Sequence, residues 1–189
     1  MAQGRPRIGV LALQGAFREH VNVLRRLGAD TIEVRLPGQL DEIDGLVIPG
    51  GESTTMTKLA HLYELDDAIR SFGRPILGTC AGMILLDRSH LGLVDIDVDR
   101  NAYGRQVASF EGEVELGDGG PPLQGVFIRA PRVRDVGAGV SVLAELHGEP
   151  VLLRDGEVIV ASFHPELTDD PRVHELFLRL VTEETSVRA

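Results

Sequence analysis

The chain has 189 residues, 43% of them hydrophobic and only 4% aromatic, with no tryptophan. That is enough for one sizeable core built from Val, Leu, Ile and Ala. The net charge of −10 with no basic cluster argues against a nucleic-acid partner. A single cysteine excludes an internal disulfide and any CxxC metal spacing. The apolar run near the start is too short for a signal segment, and no run approaches the ~20 residues of a membrane span, so no membrane partner and a cytoplasmic location are expected.

In chain order, "RIGVLALQG" reads as a wholly apolar strand ending at Gly15. In "AFREHVNVLRRLGA", Phe17, Val21, Leu24 and Leu27 recur at helical spacing, with Gly28 as a stop. "TIEVRL" and "DGLVIPGG" are the second and third strands. "ESTTMTKLAHLYELDDAIRSF" is a helix or two, with Ser53 or Thr54 as its cap. "PILG" is a fourth strand, and "AGMILLD" a helix opening after Cys80. Strand–helix alternation with nearly all-apolar strands predicts parallel strands covered on both faces.

From about residue 91 the pattern changes to strand-like runs: "VDIDVDRNAYG", "VASFEGEVEL", "LQGVFIRAP", "VSVLAEL", "VLLRDG" and "EVIVASFHPE". A helix, "DPRVHELFLRLV", closes the chain, and "TEETSVRA" is expected to fray. The expected fold is a three-layer α/β arrangement: an open, largely parallel sheet flanked by helices, with an antiparallel extension. No linker or repeat divides it, so residues 1–189 read as a single domain.

In such sheets chemistry collects beyond the carboxyl ends of the strands. Gln14-Gly15, Gly50-Gly51-Glu52 and Thr79-Cys80 all fall there. Cys80 sits in "PILGTCAGMILL", at a strand-to-helix turn kept small by Gly78, Ala81 and Gly82. A helix start favours a thiolate and a tight turn aims backbone N–H groups outward, although an inert buried cysteine fits the same local pattern. Of six histidines, His164 in "IVASFHPE" follows an apolar strand, and Glu166 lies two residues on. A Cys-His-Glu set would fix the ring tautomer and stabilise the imidazolium. His20, His61 and His174 lie on predicted helices among polar neighbours, where solvated or interface roles suit them; His90 and His147 are secondary candidates near turns.

"PGGESTT" lacks the Gly-Lys-Ser/Thr ending of a phosphate loop. Its Gly51 N–H could serve as an oxyanion donor beside that of Ala81. Asp95, Asp97 and Asp99 alternate onto one face, which reads as a solvated edge rather than a metal site. Arg100, Arg105 and Arg129 are candidates to weigh: Arg129 ends the apolar run "VFIRAP", where a charge requires a salt bridge, a bound carboxylate or a partner surface.

Taken together, "GVLALQGAFREH", "PGGESTTM", "GTCAGMILL", "RNAYGRQVASFEG", "GVFIRAP" and "ASFHPELT" closely resemble the glutaminase subunit of pyridoxal 5′-phosphate synthase, a class I, triad-type glutamine amidotransferase. The likeness runs from Ile8 to about Val181 in the right order. It implies Cys80 as nucleophile, His164 as general base and then acid, and Glu166 as the group orienting His164. It also implies Gly51 and Ala81 as the oxyanion hole, with Gly51, Glu52, Ser53, Arg100, Ile128 and Arg129 around L-glutamine. No metal or organic cofactor is implied. The implied partner is a (β/α)8-barrel synthase subunit in a complex of twelve plus twelve, which receives the ammonia. The oxyanion hole would be completed on docking by movement at Gly51-Glu52, with Gln14, Arg18 and Glu19 near the docking face. The chain departs from the family in the short passage "ILLDRSHLGLV". Another thiol-dependent amidotransferase or hydrolase with the same triad, or a non-catalytic scaffold, are the competing readings.

Overall fold

In the computed structural model, which describes residues 5–100, 109–117 and 120–188, the first half alternates strands and helices. Strand β1 (Arg7–Leu11) is followed by helix α1 (Phe17–Arg26), β2 (Asp30–Val34), a 3-10 turn (Pro37–Glu42), β3 (Gly45–Ile48), α2 (Ser53–Leu62), α3 (Leu65–Arg70), β4 (Ile76–Thr79) and α4 (Ala81–Leu86). The second half supplies β5 (Ile96–Asp99), β6 (Ser109–Leu116), β7 (Leu123–Ile128), β8 (Arg132–Val136), β9 (Ser141–Leu146), β10 (Glu149–Asp155) and β11 (Val158–Ala161). A 3-10 turn (Pro165–Leu167) and helix α5 (Arg172–Arg188) follow.

The nine-stranded sheet has the order β2-β1-β3-β4-β11-β10-β9-β6-β7. Its first five strands are parallel, as in the β4–β11 register Thr79↔Ala161, and the remaining four pair antiparallel. This is the expected parallel sheet with an antiparallel extension. Strands β5 and β8 form a separate two-stranded ribbon; β8 falls in "RVRDV", where no strand is expected from the sequence.

Alternation along the strands divides the core in two. Ile8, Val10, Val47, Leu77, Ile159 and Ala161 face α1 and α5, meeting Val21, Leu24, Val173 and Phe177. Leu46, Ile48, Ile76 and Val160 face the other way, meeting Met56 of α2, Ile69 of α3, Leu85 of α4 and Ile96 of β5. Both faces are thus dry, which is why these strands carry apolar residues at every position.

The stretch after β3, expected as a helix or two, is two, broken at Glu64, which has φ 57°. Other expectations shift in detail. The α2 cap is Glu52 rather than Ser53 or Thr54: its carboxylate accepts from Thr54 N at 2.9 Å and Thr55 N at 2.7 Å. A carboxylate there satisfies two orphan donors and complements the helix dipole. The expected fraying tail is helical to Arg188. The short passage after α4 is a turn held by Asp87, whose Oδ1 accepts from Ser89 N at 2.8 Å and His90 N at 3.1 Å. Asp95 and Asp99 are ion-paired, with Arg88 and Arg134 respectively.

Candidate active site

Four parallel strands deliver the candidate residues to one rim. Cys80 follows β4 directly and is the N-cap residue of α4, with φ 48° and ψ −103°. A non-glycine residue in that region costs about 1–3 kcal/mol. The surroundings hold it there. Cys80 N donates to Ala161 O at 2.8 Å, continuing the β4–β11 ladder past its last pair. A side chain at Gly82 would meet Ile48 O at 2.1 Å, and one at Gly78 would come within 3.0 Å of Gly82. Only small residues let α4 pivot this close to the sheet, and the pivot leaves the thiol at the rim, nearly buried.

His164 leaves the end of β11. Its N–H donates to Val126 O at 2.8 Å, which ties it to β7, and Pro165 opens the following turn. Its Nδ1 lies 2.7 Å from Glu166 Oε1. Both side chains are largely buried. Burial opposes charge on the imidazole, but a hydrogen bond with Cys80, another with Glu166 and the charges of both prevail, so the His164 pKa is pushed up to about 10. For Glu166 burial again works against the ion. The electrostatic attraction of the His20 ring beside it, then the hydrogen bond and charge of His164, outweigh that and hold the carboxyl below its ordinary range.

Beside the thiol, Gly50 is in contact with both partners: a Cβ there would be 2.3 Å from His164 Cε1 and 3.2 Å from Cys80 Cβ. Gly50 O accepts from Ala16 N at 3.1 Å, so the N–H of Gly51, on the same planar peptide, points the opposite way. Gly15, with φ +89°, has no room for a side chain, because a Cβ would meet Gly50 O at 1.9 Å. Gln14 Nε2 donates to Glu52 O at 3.2 Å. The Gly50–Glu52 backbone is thereby clipped to the loop between β1 and α1.

On the opposite side of the thiol, Cys80 Sγ lies 3.8 Å from Ile128 O. Ile128 and Arg129 are exposed, and Arg129 has a left-handed backbone with φ 45°. Arg100 donates to Thr54 Oγ1 at 3.1 Å. Neither arginine has a carboxylate partner among the described residues. Arg105 lies outside those residues. The carboxylate of Glu52 is turned into the start of α2; hydrogen bonds from Thr55 and Thr54 lower its pKa to about 2.

Of the other histidines, His61 meets expectation and His20 and His174 do not. His61 is solvated, 2.9 Å from Asp66, and His90 is paired with Asp87. His20 and His174 are not solvated: both are fully buried between α1, α5 and the sheet. His20 lies at i+3 in the stripe Phe17, His20, Val21, Leu24, so the helical period itself points it inward. A recess of about 650 Å³ between α1 and residues 166–169 reaches Glu166 from behind but does not include Cys80; the reactive atoms are at the rim instead.

A sequence profile of the SNO glutamine amidotransferase family matches residues 10–183. The chain belongs to this glutamine amidotransferase family. Among its relatives, the pyridoxal 5′-phosphate synthase subunit PdxT of Thermosipho africanus is 54% identical over 186 residues, covering 93% of this chain and 98% of that protein. PdxT of Shouchella clausii is 47% identical over 193 residues, covering 97% and 99%. A crystal structure described as a glutamine amidotransferase superposes with a TM-score of 0.88 at 48% identity, covering 93% of this chain and 98% of that one. A glutamine amidotransferase from Thermotoga maritima, at 18% identity and TM-score 0.63 over 98% and 94% of the two chains, shares the fold. The amidotransferase fold expected from sequence is therefore the one observed.

Proposed function

We propose that the chain is the glutaminase subunit of a pyridoxal 5′-phosphate synthase, hydrolysing L-glutamine to glutamate and ammonia within one glutaminase domain spanning residues 1–189. The observation that carries the reading is the line from Glu166 Oε1 through His164 Nδ1, 2.7 Å apart, to a thiol held at the rim in a strained turn.

With the His164 pKa near 10, the favoured resting state at neutral pH is a charged imidazolium beside Cys80. Cys80 Sγ attacks the side-chain amide carbon of glutamine, and the carbonyl electrons move onto oxygen. The N–H groups of Gly51 and Ala81 receive that oxyanion. His164 donates its proton to the amide nitrogen, the C–N bond breaks, and ammonia leaves a γ-glutamyl thioester. His164 then takes a proton from water, whose oxygen attacks the thioester; glutamate departs, leaving the Cys80 sulfur as the thiolate beside the imidazolium, the same pair from which the attack began. Glu166 keeps the imidazole in one tautomer and balances its charge throughout.

Substrate orientation falls to the groups around the thiol. Arg100 and Arg129, free of internal carboxylates among the described residues, suit the α-carboxylate of glutamine. Ile128 and the Gly51, Glu52 and Ser53 backbone line the side-chain end. This chemistry balances with glutamine and water alone and uses no cofactor. Ammonia passes to a (β/α)8-barrel synthase partner, in a cytoplasmic complex of twelve glutaminase and twelve synthase subunits. Docking acts on the Gly51 region through the Gln14 and Ala16 clip, with Arg18 and Glu19 on the docking side of α1.

The test is ammonia release from glutamine by the purified chain with and without purified synthase subunit. Expected is release that rises on adding synthase and falls about 10³-fold or more in Cys80→Ala. Ammonia release that survives Cys80→Ala, or that requires an amide other than glutamine, would overturn the reading.

A further inference from the structure

We propose that His20, outside the triad, is a positioning residue for catalysis, a neutral imidazole whose Nε2–H faces the second oxygen of Glu166 and locks the carboxylate against His164. The proposal rests on the triad reading above and extends it to a residue on a different helix.

Glu166 has two buried oxygens. Oε1 is engaged by His164 at 2.7 Å. Oε2 has no well-aligned hydrogen bond and lies 3.3 Å from His20 Nε2, with both side chains completely buried. His20 Nε2 is also 3.1 Å from Thr79 Oγ1, and His20 Nδ1 is 2.9 Å from His174 Nε2. Three elements thus meet behind the triad: α1 through His20, β4 through Thr79, and α5 through His174.

Hydrogen-bond accounting assigns the tautomers. If His20 carried its proton on Nδ1, its Nε2 lone pair would face a carboxylate. His174 would then hold its own proton on Nδ1, which is buried and unpartnered. Both outcomes are costly in an apolar interior. In the opposite assignment His174 Nε2–H donates to His20 Nδ1, and His20 Nε2–H is shared between Thr79 Oγ1 and Glu166 Oε2. Only a bare acceptor on His174 is left over. Burial lowers the pKa of both rings, more than the nearby Glu166 and Glu19 raise that of His20; His164 adds to the lowering at His20, and His20 followed by Arg26 adds to it at His174. Both imidazoles are therefore neutral donors, and the charge at the site stays between Glu166 and His164.

A carboxylate gripped at one oxygen can rotate about its terminal bond; one gripped at both cannot. Removing His20 leaves Oε2 bare, favours the protonated acid and loosens the bond that orients His164. Because Gln places its amide nitrogen near the Nε2 position and Asn places its own near Nδ1, the two amides separate this role from mere polarity or volume. The titratable groups facing His20 are Glu166, His164, His174 and Glu19.

The experiment compares wild type with His20→Gln, His20→Asn and His20→Leu as complexes with the synthase subunit, measuring glutaminase kcat, KM and their pH dependence, with thermal melts confirming folding. Expected is a loss in kcat of about 10- to 100-fold for Leu and Asn, KM within about twofold, and recovery to within about threefold in Gln. The acid limb of kcat should move to higher pH in Leu and Asn, because a Glu166 without its second donor takes up a proton more readily. Equal losses in Gln and Asn, or an acid limb that does not move, would make His20 a packing residue only and overturn the proposal. If the Leu variant fails to fold, the Gln–Asn pair decides. A wild-type complex inactive on glutamine would overturn the triad reading itself, and the inference with it.

Discussion

At the scale of single residues, the arrangement turns on a thiol and an imidazole that share Gly50 as a neighbour, with no room there for a side chain. A Cβ on Gly50 would sit 2.3 Å from His164 Cε1. Gly50→Ala is expected to fold, because the obstructing atoms belong to a side chain, but to push the ring off the sulfur. A displacement of about 1 Å can cost ~10²-fold in rate, and glutaminase assay of a folded Gly50→Ala complex measures it. His164 also makes a prediction about stability. Its pKa rises from 6.5 to about 10 on folding, so the native state binds more protons than the unfolded chain between those values. The stabilisation is therefore complete below about pH 6.5 and is lost as pH rises through about 10. Melting temperature should fall across that window in wild type and more weakly in His164→Asn; a parallel fall in both would place the charge elsewhere. Cys80, His164 and Glu166 were legible in the sequence because each lies at the end of an apolar run, beside a turn former. His20 and His174 were not, because a histidine beside charged neighbours reads as solvated. The period of the apolar stripe was the better guide: positions 17, 20, 21 and 24 form one helical face, and His20 is on it.

At the scale of elements, the site depends on how closely α4 approaches the sheet. Gly82 faces Ile48 O on β3, where a Cβ would be only 2.1 Å away, and backbone cannot yield as a side chain can. Gly82→Ala should destabilise the chain by about 1–3 kcal/mol, read as a shift in denaturant midpoint with an unchanged slope; a change below a few tenths would show that α4 can move freely. The parallel half of the sheet was readable because strands buried on both faces are continuously apolar, as "GLVI" and "VIVA" are. The antiparallel half was readable as strands but not as pairings. Strand β8 escapes the sequence reading because "RVRDV" is mostly charged and buries only Val133, whereas its partner β5 in "IDVD" carries the core residue Ile96. The sequence places the α2 cap one or two residues late, since Ser53 and Thr54 are good caps in general and the reach of the Glu52 carboxylate to two amides is visible only in three dimensions.

At the scale of the whole molecule, the three layers place one face of the sheet against α1 and α5 and the other against α2, α3 and α4, with the rim left open between them. The Gly50–Glu52 backbone and the histidine network both attach to α1 or to the loop before it. Any partner that shifts this segment acts on the Gly51 peptide and on the surroundings of Glu166 together. The measurement that bears most directly on the whole arrangement is covalent labelling by an electrophilic glutamine analogue, in complex with the synthase subunit, mapped by peptide mass spectrometry. One label on Cys80 is expected, blocked by glutamine, abolished in Cys80→Ala and strongly slowed in His164→Asn. A glutamine-protected label on any other residue, or labelling of Cys80 at an undiminished rate in His164→Asn, would contradict the account.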